Sequence, residues 1–266
     1  MSLHFQSLSS SSAGNCLVLW TDRTRILLDC GFPSMRRTRE VLETNLKDPR
    51  HVDAVIISHM HGDHINHHSL RVIEEYGLTV WVYERCLNQL KGKHFNGHKF
   101  RSMDLKTFSD TPLTIGDLWI QPFEVPHQPT HLNCGFAVRY KENMVWKSAV
   151  IITDFHNGSG ALGYLIDSDF IFLESNHDPD LLARYFNPNS RFHLSNPKSA
   201  ELLHTAYIQS SKKPKTVMLG HLSSQRNTEQ YALKEVQGLF QKNGTAMDFQ
   251  LCTAPLQASS VPVEIA

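Results

Sequence analysis

The sequence has few cysteines, no net charge and no long apolar run, and each absence excludes a class of protein. None of its five cysteines forms a C-x-x-C pair, so neither a disulfide framework nor a thiolate zinc knuckle is expected. The 26 Lys and Arg residues balance 26 Asp and Glu residues. Any binding of a polyanion must therefore depend on a local patch, because no overall field attracts it. No stretch approaches the roughly 18 apolar residues of a membrane span, and the first residues lack a signal-peptide pattern. We expect a cytoplasmic protein that does not insert in a membrane.

Histidine is what the sequence has in excess. The chain contains 16 histidines in 266 residues, and five of them fall between His59 and His68. Such clustering indicates a metal site before any motif is considered. The remaining composition, 41% apolar and 20% charged, is typical of a soluble globular protein. Because no linker divides the chain, we expect one domain over residues 1–266.

Strand-like and helix-like segments alternate along the chain, which favours an α/β protein. Apolar segments rich in β-branched residues predict strands at 16–20, 25–30, 53–58, 79–83, 118–125, 135–140, 145–153, 170–174, 216–220 and 249–252. Helical spacing predicts helices at 35–46, 69–76, 179–185, 198–209 and 225–241. The serine-rich stretch at 9–12 is predicted to be a turn between two strands rather than a flexible linker.

Side chains capable of chemistry repeatedly come just after a predicted strand. Asp29, His59, His127, Asp154 and His221 all occupy such positions. Because side chains at strand ends converge on one rim of a sheet, we expect these residues to form one site.

The string 59–64, which reads His-Met-His-Gly-Asp-His, is the strongest single signal. Imidazole and carboxylate groups suit Zn²⁺, Mn²⁺ or Fe, and this spacing allows one tight turn to serve two adjacent ions. The alternative is a set of solvent-facing histidines. Four ligand-type side chains within six positions after an apolar strand favour the metal site.

With these residues in place, the sequence resembles the metallo-β-lactamase superfamily over essentially its whole length. The resemblance implies a four-layer αββα sandwich, a fold of the α/β (α+β) class. It also implies two groups of metal ligands joined by Asp154. The first group is His59, His61 and His127, and the second is Asp63, His64 and His221. Asp29 matches an aspartate that supports the histidine loop, residues 59–64, without binding metal.

A complete ligand set with an aspartate at the bridging position argues for a binuclear hydrolytic centre. We expect two divalent ions, with Zn²⁺ first and Mn²⁺ or Fe²⁺ as alternatives. Two such ions can lower the pKa of a shared water, so a bridging hydroxide would be the nucleophile. Asp63 and His193 are the residues that we predict to be catalytic.

Four further stretches, at 8–16, 172–178, 193–196 and 220–223, resemble the YycJ (WalJ) branch of that superfamily. The branch is related to phosphodiesterases and nucleases. The implied activity is exonuclease-like hydrolysis of phosphodiesters in nucleic acid or nucleotide-like substrates. One alternative is a hydrolase of small thioesters, lactones or other carboxyl compounds, and another is a module that binds without turnover.

Four residues outside the ligand set are candidates for supporting or substrate-contacting roles. His193 lies in a His-Leu-Ser-Asn turn and is predicted to contact phosphate or to protonate the leaving group, with a structural turn histidine as the alternative. His131 and His177 are weaker candidates. Asp178 is a further candidate, but it also suits the cap of a helix that begins near Pro179.

Two basic stretches bear on the partner of this protein. Arginines cluster at 36–39, and lysines and an arginine alternate with two phenylalanines at 91–101. Such patterns can hold a phosphate backbone and stack bases, although a solvated loop is the alternative. The expected partner is nucleic acid or a small phosphodiester. The sequence does not indicate an oligomeric state.

Overall fold

Two seven-stranded sheets form the centre of the computed structural model, which describes residues 2–129, 131–256 and 258–265. The first sheet contains β1 (Leu3–Ser11), β2 (Gly14–Trp20), β3 (Arg25–Leu28), β4 (Ala54–Ile56), β5 (Val80–Tyr83), β6 (Leu105–Phe108) and the C-terminal β14 (Val263–Ile265). The strands follow the order β14-β1-β2-β3-β4-β5-β6. The pairs from β3 to β6 are parallel, and the pairs from β14 to β3 are antiparallel.

The second sheet repeats this plan. It contains β7 (Leu113–Ile115), β8 (Leu118–Val125), β9 (Asn133–Glu142), β10 (Val145–Ile152), β11 (Phe170–Glu174), β12 (Thr216–Gly220) and β13 (Gln250–Thr253). Its order is β13-β12-β11-β10-β9-β8-β7. Parallel pairing joins β10 to β13, and antiparallel pairing joins β7 to β10.

Seven α-helices accompany the sheets in the described part of the chain. They are α1 (Met35–Asn45), α2 (His67–Tyr76), α3 (Leu87–His94), α4 (Leu162–Leu165), α5 (Pro179–Arg184), α6 (Asn196–Gln209) and α7 (Glu229–Lys242). Short 3-10 turns occur at Pro49–His51, Glu84–Cys86 and Pro188–Phe192. No helix among the described residues is both long and apolar enough to cross a membrane.

The apolar core lies between the sheets and under the helices. The ring of Phe5 in the first sheet lies 4.6 Å from that of Phe170 in the second, so side chains from the two sheets meet directly. A second cluster, which includes Leu203 of α6 and Val236 and Phe240 of α7, packs on the other face of the second sheet. The predicted four-layer αββα sandwich is confirmed. That residues 1–266 form one domain stays a prediction, and Met1, Thr130, Gln257 and Ala266 lie outside the described residues.

The serine-rich stretch corrects one prediction. Ser9, Ser10 and Ser11 belong to β1, where they pair with Cys16, Asn15 and Gly14 of β2, and the turn is confined to residues 12–13. These serines are buried, so their hydroxyls form hydrogen bonds within the protein instead of with water. Ser9 Oγ donates to Gly14 O at 2.7 Å, for example. Composition suggested a turn, but buried pairing with β2 makes a strand.

The other differences lie at element ends and in short elements. The helix predicted from residue 225 begins at Glu229, because the Thr228 side chain accepts a hydrogen bond from the Tyr231 N–H and caps it there. The strands β1, β6, β7 and β14 and the helices α3 and α4 were not predicted. In β1 four of the nine residues are serine, so the strand lacks an apolar, β-branched pattern. Each of the other five has 8 residues or fewer, which is too short for a clear periodic signal.

Candidate metal centre

Strained turns at strand ends aim three of the predicted site residues inward. Asp29 follows β3 with φ 62°, Asp154 follows β10 with φ 58°, and His221 follows β12 with φ 52°. A left-handed backbone is costly for side chains of this kind and persists only where surrounding contacts hold it. The backbone N–H of His221, for instance, donates to Ser10 Oγ at 2.8 Å. The first sheet therefore supports a turn of the second sheet at the site.

The first ligand group is brought together as predicted. His59 Nε2 lies 2.9 Å from His61 Nδ1, which lies 3.2 Å from His127 Nε2. An oxygen of Asp154 joins these nitrogens within 4.8 Å. Ligands of a tetrahedral zinc ion with Zn–N bonds of about 2.1 Å are roughly 3.4 Å apart, so these separations suit one ion.

The second group lies on the other side of Asp154. The Nε2 atoms of His64 and His221 lie 3.6 and 3.9 Å from Asp63 Oδ2. They lie 3.0 and 3.5 Å from Asp154 Oδ2. Asp154 thus belongs to both groups, as a bridging residue would.

Hydrogen bonds behind the histidines set which ring nitrogen faces the centre. His127 Nδ1 donates to the Phe192 carbonyl at 3.1 Å, so the Nε2 of a neutral ring carries the lone pair. His64 Nδ1 donates to Asp29 Oδ2 at 2.7 Å. Asp29 also accepts from the Ser58 N–H and hydroxyl, at 2.8 and 2.7 Å. Asp29 therefore supports the histidine loop, in the position that the resemblance implies.

Glu174 is the functional residue that the sequence reasoning missed. It is fully buried at the end of β11, and its Oε1 accepts from His193 Nδ1 at 2.7 Å and from His221 Nδ1 at 2.8 Å. Its Oε2 accepts from the N–H groups of Phe155 and Leu194 at 3.0 and 3.2 Å. With four donors, this carboxylate serves as a hydrogen-bond partner of the histidines rather than as a metal ligand. A carboxylate that ends a wholly apolar strand is the signal that could have found it.

The four candidates outside the ligand set lie at different distances from the centre. His193 lies beside it, with Nδ1 3.5 Å from Asp154 Oδ1. The His131 ring lies 4.5 Å from that of His61, so it borders the first group. His177 lines a neighbouring cavity and not the central one. The Asp178 side chain accepts from the N–H groups of residues 180 and 181 and caps α5, which confirms the capping alternative.

The two basic stretches have local partners. Arg37 and Arg39 pair with Glu40 and Glu75 on exposed surfaces. In the 91–101 stretch, Lys93 Nζ donates to the Met60 carbonyl at 2.8 Å, and His94 Nε2 lies 3.1 Å from the same oxygen. Lys93 and His94 therefore support the histidine loop from outside.

Burial and charge divide the histidines into two classes. Burial lowers the pKa of His59 well below its usual range, lowers that of His61 to about 4, and also lowers that of His127. Burial acts against the charge on His64 and His221 as well, but the surrounding carboxylates prevail. They raise the pKa of His64 well above its usual range and that of His221 to about 10. The histidines of the first group are therefore neutral, and His64 and His221 are protonated when no cation is bound.

The donor set fits divalent cations. Four carboxylates, those of Asp29, Asp63, Asp154 and Glu174, lie in or against the cluster, and the ion-pair partners of Asp154 in the described chain are histidines. Asp154 Oδ2 and His221 Nε2 are buried, and neither has a partner in good hydrogen-bond geometry among the described residues, although His64 Nε2 lies 3.0 Å from Asp154 Oδ2. Poor hydrogen-bond geometry at a buried polar atom is costly, and a bound cation would remove that cost.

Comparisons with known proteins identify the family of this chain. The family model of the β-lactamase superfamily domain matches residues 24–221. The chain is 29% identical to an exodeoxyribonuclease WalJ of Streptococcus pneumoniae, over 93% of this chain and 92% of that one. It is 28% identical to an exodeoxyribonuclease YycJ of Bacillus anthracis, over 92% and 91% of the two chains.

A solved structure extends the likeness to the fold. The metallo-β-lactamase fold protein YhfI of Bacillus subtilis superposes with a TM-score of 0.72 and 18% identity, and the match covers 99% of this chain and 100% of that one. The matched family segment includes all seven predicted ligands, from His59 to His221. The chain belongs to the β-lactamase superfamily.

Proposed function

We propose that this protein is a metal-dependent phosphodiesterase that removes nucleotides from the ends of nucleic acid with two divalent ions in its centre. The expectation of an enzyme of the hydrolase class is confirmed by its relatives, two of which are named exodeoxyribonucleases. Zn²⁺ is the first choice of metal, and the same imidazole and carboxylate set accepts Mn²⁺ or Fe²⁺. A cytoplasmic location stays a prediction.

The polar lining of the cavity at the metal centre is the observation that supports a phosphodiester. The cavity has a volume of about 150 Å³ and extends from the histidine loop to the loop that follows β12. Leu222 is the one apolar side chain among the described residues that line it. Arg226, Asn187 and Asn189, whose side chains carry N–H donors, line this cavity, and such donors suit phosphate oxygens. The lining of this cavity is mostly polar, which favours a phosphodiester over the thioester and lactone alternative.

The ligand residues have distinct tasks in this proposal. One ion would be held by His59, His61 and His127, and the other by Asp63, His64 and His221, with Asp154 between them. Two bound divalent ions would lower the pKa of water and stabilise the charge that develops on phosphate oxygens. Asp29 and Glu174 hold the imidazole rings in the orientation that binding requires.

His193 is placed to move a proton. Glu174 engages its Nδ1 at 2.7 Å, which leaves Nε2 as the ring nitrogen available to the cavity that His193 lines. Burial disfavours the charged ring, but Glu174 and Asp154 raise the pKa of His193 above its usual value. These carboxylates therefore favour the protonated ring, which would donate its proton from Nε2 to the leaving oxygen as the phosphodiester bond breaks.

The test is an assay of end-labelled single- and double-stranded DNA and RNA with purified protein of measured metal content. We expect stepwise shortening by the wild type and loss of that activity in Asp154→Ala. If the fully metal-loaded wild type leaves every nucleic acid intact but turns over an acyl panel, the proposal is wrong. Shortening that persists in Asp154→Ala would point to a contaminating nuclease.

A further inference from the structure

A second cavity of about 270 Å³ adjoins the metal centre and has a different lining. It shares Asn187, Ser190 and His193 with the central cavity, so the two cavities are adjacent. Pockets for drug-sized ligands are about 300–1,000 Å³, so this one suits a single planar ring system rather than a long chain.

Part of the lining of this cavity is apolar and aromatic. Leu182 and Phe186, from α5 and the loop after it, contribute to the lining together with Pro188. Phe186 is 78% exposed, so its ring is accessible to a ligand. Exposed aromatic rings beside a cationic groove are typical stacking platforms for unpaired bases.

The lining of the cavity also includes a polar group that lacks a partner. His177 is 93% buried, and its Nδ1 forms no hydrogen bond with any described residue. Burial lowers the pKa of His177, so its ring is neutral and presents one donor and one acceptor. A buried ring nitrogen without a partner invites a ligand atom that can pair with it.

The charges around the cavity match a nucleotide strand. Lys198 and Arg191 also line it, and both are cationic. The Arg191 guanidinium lies 4.6 Å from the centroid of the Phe192 ring. The carbonyl of Phe192 accepts the hydrogen bond from His127, so Arg191 lies next to a residue that contacts the metal centre. Cations at these positions can neutralise the phosphates on either side of a bound base.

We propose that this cavity is a nucleobase subsite, in which the base next to the scissile phosphodiester stacks on Phe186 and meets His177 with its edge. The inference rests on the proposed function and names its substrate class. A base that is paired in a duplex cannot enter a cavity of this kind without leaving its stack. The preferred substrate is therefore an unpaired nucleic-acid end.

The test compares oligonucleotides that carry a base or an abasic sugar next to the cleaved bond. Phe186→Ala removes the platform, and His177→Phe keeps a ring of similar shape but removes its nitrogens. Tyr185→Ala is the matched control, because Tyr185 is 57% exposed and does not line the cavity. Hydrolysis of bis(p-nitrophenyl) phosphate, which has no base, reports on the metal centre alone.

We expect Phe186→Ala to lower kcat/KM for the normal single strand roughly 5- to 150-fold, the range of one base–aromatic stack. The abasic sugar should cost the wild type a similar factor and cost Phe186→Ala little more. Turnover of bis(p-nitrophenyl) phosphate should stay unchanged in both cavity variants. Equal losses on all substrates, or no loss on the normal strand, would overturn the subsite.

Failure of the proposed function has a separate signature. If the wild type cleaves no oligonucleotide, calorimetric binding of dAMP and of deoxyribose 5-phosphate still decides the subsite. Tighter binding of dAMP by the wild type, lost in Phe186→Ala and kept in Tyr185→Ala, supports it. Equal binding of the two ligands by the wild type refutes it.

Discussion

At the scale of single residues, two carboxylates lie behind the candidate metal ligands and hold their rings. Asp29 accepts a hydrogen bond from His64 Nδ1, and Glu174 accepts one from His221 Nδ1. They thus orient one ring that follows the first sheet and one that follows the second. Glu174 does this for His193 as well. Partners of this kind make the facing nitrogen a better ligand, and their loss typically lowers metal affinity or activity about 10- to 100-fold.

Glu174→Gln should therefore lower metal affinity and kcat/KM by about one to two orders of magnitude. The amide keeps the shape of the side chain but lacks the charge that orients two imidazoles. Metal titration and phosphodiesterase assays measure the effect, and Glu229→Gln, on an exposed position of α7, is the control. Wild-type affinity and rate in Glu174→Gln would show that its charge is not needed.

Close packing at one glycine also acts at this scale. A Cβ added to Gly31 would lie 2.0 Å from the backbone carbon and oxygen of Asp63. The strand-end turn after Asp29 thus lies directly against the histidine loop. The Asn15 N–H donates to the Asp63 carbonyl at 2.8 Å and ties a third segment to the same point. The loop is held by its backbone as well as by its histidines.

At the scale of elements, the loops after β11 and β12 are joined by buried amides. Asn227 Nδ2 donates to Asn196 Oδ1 at 2.8 Å and to the Ser175 carbonyl at 2.7 Å. The Asp178 N–H donates to the Arg226 carbonyl at 2.8 Å. The start of α5 is therefore connected to the loop that carries Arg226 and His221. The backbone of Asp178 makes this connection, which gives the residue a structural role.

Substitutions at Asp178 separate a capping role from a role in the site. Asp178→Ala should lower the free energy of unfolding by about 0.5–2 kcal/mol, because α5 loses its cap. Asp178→Asn keeps a capping oxygen and should retain both stability and activity. Chemical denaturation and the phosphodiesterase assay measure the two effects. A large loss of activity in Asp178→Asn, with stability unchanged, would place the carboxylate in the site.

At the scale of the whole molecule, the centre joins the two sheets. Its ligands follow β4 of the first sheet and β8, β10 and β12 of the second. Bound cations would therefore cross-link the sheets and stabilise the fold by an amount that grows with their concentration over Kd. Removal of metal acts on the whole protein for this reason.

Metal binding should release protons and weaken as pH falls. In the metal-free protein His64 and His221 are protonated at neutral pH, since carboxylates raise the pKa of His64 well above its usual range and that of His221 to about 10. A cation needs both rings neutral, so apparent affinity should rise as pH increases from 7 towards the pKa of His221, about 10. Calorimetric titration of Zn²⁺ at pH 7 in two buffers of different ionisation enthalpy counts the protons. Binding without proton release would contradict this assignment.

Much of the site could be predicted from the sequence because its ligands follow local patterns. Buried strands appear in the sequence as apolar runs. The residue after each run lies at the same edge of its sheet, independently of the conformation of the loops. The 59–64 string adds four ligand types within one turn. Short stretches of sequence thus indicate both the strand-end positions and the ligand chemistry. The αββα arrangement followed from the resemblance to the superfamily over the whole chain.

Contacts between distant residues were decided only by the tertiary structure. Glu174 reaches His221 across 47 positions, and Ser10 supports His221 across 211, so no local pattern announces either contact. The pairing of β14 with β1 and the cavity beside His177 arise in the same way. The sequence by itself determined which residues can bind metal, because that depends on side-chain type and strand ends. The folded chain decided which groups orient them and what space the substrate has, because both depend on packing between segments far apart in sequence.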